Sequence, residues 1–265
     1  MILAVNSNSK EHMMDGYSGK PGLERDENGL YLTDGELILR VDFCEMKDRI
    51  RQANLERELL VKAVAVKGFK DRLKVLDATA GLGEDSFLLA AAGFEVYMYE
   101  QDEVIAALLD DGIRRAKDTD DPDIPEEIRI AAERLHFSKG DSISAMHTLA
   151  LKRAFGSGTG TDTPETPNDN ITEDSFDVIY LDPMFPERKK SAAVKKKFQL
   201  LQQLERPEMR EKELFDAAVS LKPRKVVIKR PIKGPFLCGI KPEYSVKGNS
   251  VRYDVVIPRG PKGGC

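Results

Sequence analysis

Residues 74–85 read Lys-Val-Leu-Asp-Ala-Thr-Ala-Gly-Leu-Gly-Glu-Asp. An apolar run ends at Asp77, glycines follow at Gly81 and Gly83, and apolar residues at helical spacing begin at Phe87. This order of strand, glycine turn and helix is typical of a nucleotide-binding α/β unit. Glycine is needed where the chain turns sharply and where a ligand approaches the main chain without a Cβ in its way. The stretch therefore predicts a ligand site at the positive end of the helix.

The next predicted strand supports this interpretation over an ordinary strand-to-helix connection. Residues 94–99 lead directly into Glu100. A carboxylate at the end of the second strand of a doubly wound fold is placed to accept hydrogen bonds from the two hydroxyls of a ribose. The spacing of Asp77, Gly81 and Gly83 differs from the G-x-G-x-x-G of dinucleotide sites. It favours S-adenosylmethionine over a pyrophosphate cofactor.

Length and composition limit the class of protein. With 265 residues, 41% of them hydrophobic, the chain can build one sizeable core with an appendage. A formal net charge of −4 excludes a generally basic protein that coats nucleic acid, so any such contact must come from local patches. The three cysteines and three histidines have no metal-ligand spacing, so we expect free thiols and no metal site. Without a membrane span or a secretory signal, we expect a soluble, cytoplasmic protein.

The chain divides into two predicted parts. Residues 1–70 form a small α+β region, which we interpret as a lid or substrate platform. Within it, residues 6–29 are polar and aperiodic and predict a loosely packed arm, whereas residues 29–41 predict a hairpin that turns at Asp34 and Gly35. A helix is expected near residues 59–66.

Residues 71–260 alternate between strand and helix patterns and predict an α/β fold of the class I methyltransferase type. This Rossmann-like fold has a mostly parallel sheet, which residues 244–257 complete with a C-terminal antiparallel hairpin. Residues 156–174 are rich in Gly, Ser, Thr and Pro and predict a flexible insertion.

A third predicted strand near residues 135–138 ends before Asp141 and Ser142. The carboxylate of Asp141 is placed to accept a hydrogen bond from the exocyclic amine of an adenine. Equally, Asp141 or Ser142 can cap the following helix, and the two roles are compatible.

The strongest chemical signal follows the buried run at residues 176–181. It continues as Asp182, Pro183, Met184, Phe185 and Pro186, and it resembles the Asp/Asn-Pro-Pro-aromatic loop of methyltransferases that act on planar exocyclic amines. Met184 replaces the second proline of that loop. The Asp182 carboxylate and the Pro183 carbonyl can accept the two N–H bonds of such an amine, while Phe185 stacks on the extruded base. The alternative is a rigid turn with a capping aspartate and a core phenylalanine.

A basic stretch follows this loop. Its six cations can contact RNA phosphates, or they can form a solvated face: Arg188, Lys189, Lys190, Lys195, Lys196 and Lys197.

Four segments together resemble one family, the RsmJ enzymes, which are bacterial methyltransferases of guanine N2 in small-subunit (16S) ribosomal RNA. They are Leu-Asp-Ala-Thr-Ala-Gly-Leu-Gly, Ala-Ala-Leu-Leu-Asp-Asp-Gly at residues 106–112, Tyr-Leu-Asp-Pro-Met-Phe-Pro, and the Lys-Arg-Pro of residues 229–231. The match covers residues 71 to about 258. The resemblance implies S-adenosylmethionine as cofactor and ribosomal RNA, naked or in the assembling particle, as partner. It also implies cofactor contacts at seven positions: Glu84, Asp85, Glu100, Gln101, Asp141, Ser142 and Asp182.

The residues alone leave other functions to be weighed. Adenine N6 and a glutamine amide present a similar planar amine to the same loop. A catalytically inactive RNA-binding module can keep the same fold. A nicotinamide-dependent oxidoreductase is disfavoured by the glycine spacing and by the loop at Asp182.

Overall fold

The computed structural model describes residues 21–69, 72–155, 175–183 and 210–258. The strands of this part of the chain are β1 (Gly22–Asp26), β2 (Gly29–Thr33), β3 (Ile38–Leu39), β4 (Lys74–Asp77), β5 (Glu95–Glu100), β6 (Leu135–Lys139), β7 (Val178–Leu181), β8 (Lys225–Pro231), β9 (Tyr244–Lys247) and β10 (Val251–Val256). Its α-helices are α1 (Gln52–Leu55), α2 (Leu59–Val64), α3 (Glu84–Ala91), α4 (Glu103–Ala116), α5 (Glu126–Ala132), α6 (Ser142–Phe155) and α7 (Glu211–Ser220). Short 3-10 turns occur at Phe43–Met46 and Leu237–Gly239.

The main sheet has seven strands in the order β6-β5-β4-β7-β8-β10-β9. Strands β6, β5, β4, β7 and β8 run parallel to one another, and β10 lies between β8 and β9 and is antiparallel to both. The predicted class I fold, with a mostly parallel sheet and a C-terminal antiparallel hairpin, is confirmed.

Both faces of the sheet are covered, which explains the continuous apolar runs of its central strands. Along β7, Val178 and Tyr180 face one core with α3, α4 and α5. Ile179 and Leu181 face a second core with α6 and α7. Because successive side chains of a strand point to opposite faces, one short apolar segment fills both cores.

The N-terminal part forms a separate three-stranded sheet in the order β1-β2-β3. The hairpin predicted at residues 29–41 is confirmed, because β2 pairs with β3 and Gly35 has a φ of +87° in the turn between them. The expectation of a loose arm over residues 6–29 is wrong for residues 22–26, which form β1 paired with β2. All five residues of β1 are exposed, so no apolar alternation marks this strand in the sequence.

This N-terminal sheet packs against α4. The carboxylate of Asp111, whose side chain is 3% exposed, accepts a hydrogen bond from the Leu30 N–H at 3.0 Å and forms ion pairs with Arg25, Arg114 and Arg115. The ring of Phe43 stacks on Phe87 of α3 at 4.4 Å between centroids. The N-terminal region therefore shares its core with α4 and with α3, the helix that follows the glycine turn.

Helix α5, which follows a Pro- and Asp-rich loop, has no counterpart in the sequence predictions. It covers seven residues, and Ile128, Ala131 and Ala132 bury its inner face. The predicted insertion at 156–174 lies outside the described residues. No helix in the described part of the chain is long and apolar enough to cross a membrane.

Candidate active site

The predicted site residues that the structure describes converge on the carboxyl ends of the central parallel strands. From β4 the chain moves outward to β5 and β6, and it then returns to the other side of β4 as β7. Loops after β4 and β7 leave in opposite directions at such a reversal, and they open a crevice in which doubly wound folds bind ligands. Asp77, Gly81, Glu100 and Asp182 all lie at or directly beyond these strand ends.

Asp77 fixes the start of the glycine turn. It is 1% exposed, and its carboxylate accepts hydrogen bonds from the Thr79 N–H at 2.9 Å and the Ser86 hydroxyl at 2.6 Å. Burial raises the pKa of Asp77 to about 7, although these two hydrogen bonds oppose the rise. The structure therefore places Asp77 beneath the turn, where it holds β4 and α3 together.

The two glycines of the turn have different surroundings. Gly81 has a φ of +54°, and a Cβ added there would meet nothing within 4 Å. Gly83 has a φ of +78°, but a Cβ there would lie 2.6 Å from Cδ1 of Leu109 and 3.2 Å from Cε of Met98. Gly81 thus leaves open space beside the main chain, whereas Gly83 allows α3 to pack closely on α4 and β5.

Glu100 ends β5 beside this turn. Its Oε2 accepts a hydrogen bond from the Gly81 N–H at 2.9 Å, and its Oε1 accepts one from the Asp102 N–H at 2.8 Å. Burial raises the pKa of Glu100, and the two main-chain N–H groups partly offset that rise. Each carboxylate oxygen can accept a second hydrogen bond, so Glu100 can hold the glycine turn and still receive ribose hydroxyls.

The comparisons with known proteins agree with this geometry. A family model described as "Putative SAM-dependent methyltransferase" matches residues 20–154 and 162–258. The protein named ribosomal RNA small subunit methyltransferase J is 38% identical over 226 residues in Hahella chejuensis, covering 84% of this chain and 74% of that protein. Its namesake from Pseudomonas aeruginosa is 40% identical over 220 residues, covering 82% and 73%. The chain belongs to the ribosomal RNA small subunit methyltransferase J family.

A solved relative extends this family assignment to the fold. The crystal structure of a SAM-dependent methyltransferase from Neisseria gonorrhoeae is 30% identical, with a TM-score of 0.67, and the match covers 94% of this chain and 88% of that one. The predicted family, the methyltransferase class and S-adenosylmethionine as cofactor are therefore confirmed.

As in the sequence prediction, the third parallel strand of this family member leads to Asp141 and Ser142. Asp141 caps α6, because its carboxylate accepts hydrogen bonds from the Ser144 hydroxyl at 2.7 Å and the Ile143 N–H at 3.3 Å. Arg210 approaches the same carboxylate at 3.2 Å. Burial raises the pKa of Asp141, but Ser144 and Arg210 outweigh it and lower the pKa below its ordinary value. Ser142 is buried at the first position of the helix.

The backbone of the Asp182 loop is fastened to the glycine turn. The Asp182 N–H donates a hydrogen bond to the Thr79 hydroxyl at 2.7 Å. The side chain of Asp182 is 38% exposed, and Pro183 is buried behind it. A carboxylate with that exposure, on a fixed main chain, can accept hydrogen bonds from a substrate.

Sequence reasoning missed one charged residue that contacts this loop. Lys229, on β8, lies 2.9 Å from Oδ2 of Asp182 and 2.6 Å from Oδ2 of Asp85. The Tyr180 hydroxyl donates to the same oxygen of Asp85 at 2.6 Å. A lysine directly after the apolar residues 226–228 of β8 is the signal that the sequence offers, but its partners lie 144 and 47 positions away along the chain.

Two further predicted residues lie near these groups at the surface. Glu84 and Gln101 are exposed, at the start of α3 and just after β5. Phe185 and the six cations from Arg188 to Lys197 lie outside the described residues. Across the described residues, no three His, Cys, Asp or Glu side chains come together in a way that suits a metal ion.

Proposed function

We propose that this protein transfers a methyl group from S-adenosylmethionine to the exocyclic N2 amine of a guanosine in small-subunit ribosomal RNA. The observation that carries the proposal is the hydrogen bond from the Asp182 N–H to the Thr79 hydroxyl, which holds the partly exposed Asp182 carboxylate beside a cofactor-type glycine turn. The names of the family relatives, which specify small-subunit ribosomal RNA, support the substrate.

The chain offers a suitable site for the cofactor. Open space beside Gly81 admits a ligand to the main chain, and the half-buried Glu100 carboxylate faces the same turn and can accept ribose hydroxyls. Asp141 can accept a hydrogen bond from the adenine amine while it caps α6. When bound, S-adenosylmethionine supplies an electrophilic methyl group on a sulfonium sulfur.

The Asp182 loop orients the acceptor. The lone pair of a guanine amine is delocalised into the ring, which makes this nitrogen a weak nucleophile. Asp182 and the Pro183 carbonyl can accept its two N–H bonds and aim the lone pair at the incoming methyl carbon. Catalysis of this kind relies on positioning and on preorganised electrostatics, and the amine proton leaves to water.

The N-terminal region is suited to serve as a substrate platform in this proposal. A cavity of about 220 Å³ lies between it and the glycine turn, with Phe43, Met46 and Arg49 on one side and Leu82 and Glu84 on the other. The basic stretch from Arg188 to Lys197 would contact RNA phosphates near the same loop. A ribosomal RNA substrate also implies a cytoplasmic protein.

Deletion of the gene, followed by mass mapping of methylated nucleosides in ribosomal RNA and of methylated glutamines in protein, tests the proposal. We expect one N2-methylguanosine of the small-subunit RNA to disappear and to return when the wild-type gene is restored. Complementation with Asp182→Ala is the matched control and should not restore it. Loss of an N6-methyladenosine or of a methylated glutamine would assign the enzyme to the corresponding amine instead. An unchanged map, from RNA and from protein, would favour an inactive binding module.

A further inference from the structure

We propose that Lys229 is a positioning residue that holds the Asp182 carboxylate in its reactive orientation, with Asp85 as its anchor. The inference rests on the proposed function and adds to it a residue that neither the family resemblance nor the Asp182 loop motif places in the reaction.

The geometry of the cluster is that of one ammonium group between two carboxylates. Nζ of Lys229 lies 2.6 Å from Asp85 and 2.9 Å from Asp182. Asp85 is the more buried partner, with a side chain 17% exposed against 38% for Asp182. Asp85 therefore fixes the lysine from the protein side, and Asp182 is the partner that a substrate can reach.

Strand register explains why these groups meet. Strands β7 and β8 are parallel neighbours, with Leu181 opposite Ile228, so the next residues along the two strands are Asp182 and Lys229. Asp85 comes from the first turn of α3, directly after the glycine turn. The cluster thus connects the cofactor turn, the catalytic loop and β8 at one point.

The Lys229 ammonium and the carboxylates of Asp85 and Asp182 stabilise one another in their charged forms. Burial alone would lower the pKa of Lys229, but the carboxylates of Asp182 and Asp85 outweigh it and raise the pKa above its ordinary value. Burial would likewise raise the pKa of Asp85, but the Lys229 ammonium outweighs it and lowers that pKa. Without the ammonium, two carboxylates would face each other across a few ångströms and repel.

The contact with Lys229 also fixes the direction in which the Asp182 carboxylate points. Lys229 occupies one side of Oδ2, which restricts rotation of the carboxylate, while the Thr79 hydroxyl fixes the main chain of the same residue. A carboxylate held in this way presents its remaining lone pairs in a fixed direction. Misplacement of a reacting group by about 1 Å can cost on the order of a hundredfold in rate, so loss of Lys229 should lower turnover more than binding.

The test compares kcat with binding in Lys229→Met, whose side chain keeps similar length without the charge. We expect kcat to fall at least about thirtyfold, while the dissociation constants for S-adenosylmethionine and for the RNA change by less than about threefold. Lys229→Arg should recover part of the loss, because it restores a cation near Asp182. In an Asp182→Ala background, Lys229→Met should lower kcat by no more than about threefold further, since its target is already absent.

Lys225→Met is the matched control, because Lys225 is a buried lysine at the other end of β8 that donates to the Ala65 carbonyl at 2.7 Å. It should lower thermal stability with little change in the kcat of the folded enzyme. The inference is overturned if Lys229→Met behaves like Lys225→Met, or if its effect multiplies fully with that of Asp182→Ala.

A readout that needs no turnover separates this inference from the proposed function. Carbon-13 NMR of the Asp182 carboxyl should show a higher pKa in Lys229→Met than in wild type. Four other groups act on the cluster in both proteins: Asp77, Tyr180, Tyr253 and the cation of Arg49. An unchanged pKa would overturn the positioning role even if wild-type protein left ribosomal RNA unmodified. Wild-type protein without activity, but with the shift present, would count against the proposed function alone.

Discussion

The carboxylate of Glu100 and the main-chain N–H of Gly81 are joined by a hydrogen bond of 2.9 Å. The residue predicted to receive the ribose therefore also fixes the turn past which the ligand approaches. Since Glu100 in addition accepts the Asp102 N–H, its carboxylate connects the glycine turn to the start of α4. Removal of this side chain should affect both the contacts to the ligand and the shape of its site.

Glu100→Ala should weaken S-adenosylmethionine binding by roughly 1.5–3 kcal/mol, because charge-assisted hydrogen bonds to the ribose are lost. Titration calorimetry measures the change, with Glu103→Ala as control, since Glu103 is 83% exposed and pairs with Lys139 at the surface. An unchanged affinity would remove Glu100 from the site. Titration with NADH should show no tight binding; tight binding would revive the oxidoreductase alternative.

The two glycines of the turn should respond differently to alanine. Gly83→Ala places a Cβ against Leu109 and should lower the free energy of unfolding by about 2 kcal/mol or more, since strain at positive φ and overpacking add. Gly81→Ala meets open space, so only about 1 kcal/mol of backbone strain is expected, together with a clear loss of cofactor affinity. Denaturant unfolding and calorimetry on both variants check the contrast. Equal stability losses with intact cofactor binding in Gly81→Ala would contradict it.

Asp182→Ala should leave folding and RNA binding nearly intact and lower turnover at least about a hundredfold, or some 3 kcal/mol, the scale of one preorganised electrostatic partner. Asp182→Asn should be milder, because its amide oxygen still accepts one N–H bond. Single-turnover kinetics and thermal melts of both variants measure these effects. A folded Asp182→Ala protein that methylates at the wild-type rate would disprove the mechanism.

Replacement of Lys195, Lys196 and Lys197 by alanine should weaken RNA binding and flatten its salt dependence, because fewer counterions are released. Cofactor affinity should stay the same. A triple variant at the exposed Lys67, Lys152 and Lys212 changes the net charge equally and serves as control. If both triple variants have the wild-type salt slope, the basic stretch is a solvated face.

Asp111→Asn tests the attachment of the N-terminal sheet. Burial raises the pKa of Asp111, but Arg115, the Leu30 N–H and Arg25 outweigh it and lower the pKa to about 2. A carboxyl with a lowered folded-state pKa stabilises the protein above its unfolded pKa, and that contribution is lost as pH falls toward 2. We expect Asp111→Asn to lower the free energy of unfolding by about 1–2 kcal/mol at neutral pH. The effect is no larger because the arginines are partly exposed and solvent screens their charges.

The same variant should lose the part of the acid dependence of stability that arises between about pH 4 and pH 2. Denaturant unfolding as a function of pH measures it. Asp110→Asn, at the exposed neighbouring position, is the control and should keep the wild-type pH dependence. Identical curves for Asp111→Asn and wild type would contradict the assignment.

Local sequence patterns predict those parts of the fold that depend on interactions between residues close together in the chain. The turn after Asp77 and the final hairpin were predicted because glycine conformation and apolar periodicity specify them. Strand β1 was missed because all its residues are exposed, so pairing with β2 rather than burial maintains it. Helix α5 was missed because its seven residues give too short a periodic pattern.

For the candidate site, the sequence indicated which strand ends carry polar groups but not which of these groups touch. Asp141 illustrates the limit, since both a helix cap and a ligand contact were compatible with its position, and the structure supplies the cap. The contacts of Lys229 are a clearer example, because they depend on the register of β7 with β8 and on the packing of α3 against the sheet. Such contacts arise only from tertiary packing.

The hydrogen bond from the Asp182 N–H to the Thr79 hydroxyl has a thermodynamic consequence. Thr79 belongs to the turn that the cofactor would contact, and Asp182 belongs to the loop that would hold the base, so an ordering of either segment restrains the other. We therefore expect the two ligands to bind cooperatively, and by reciprocity each should raise the affinity of the enzyme for the other by the same factor. Such an enzyme should bind its RNA more tightly when the methyl donor is in place, and the methyl donor more tightly when the RNA is bound.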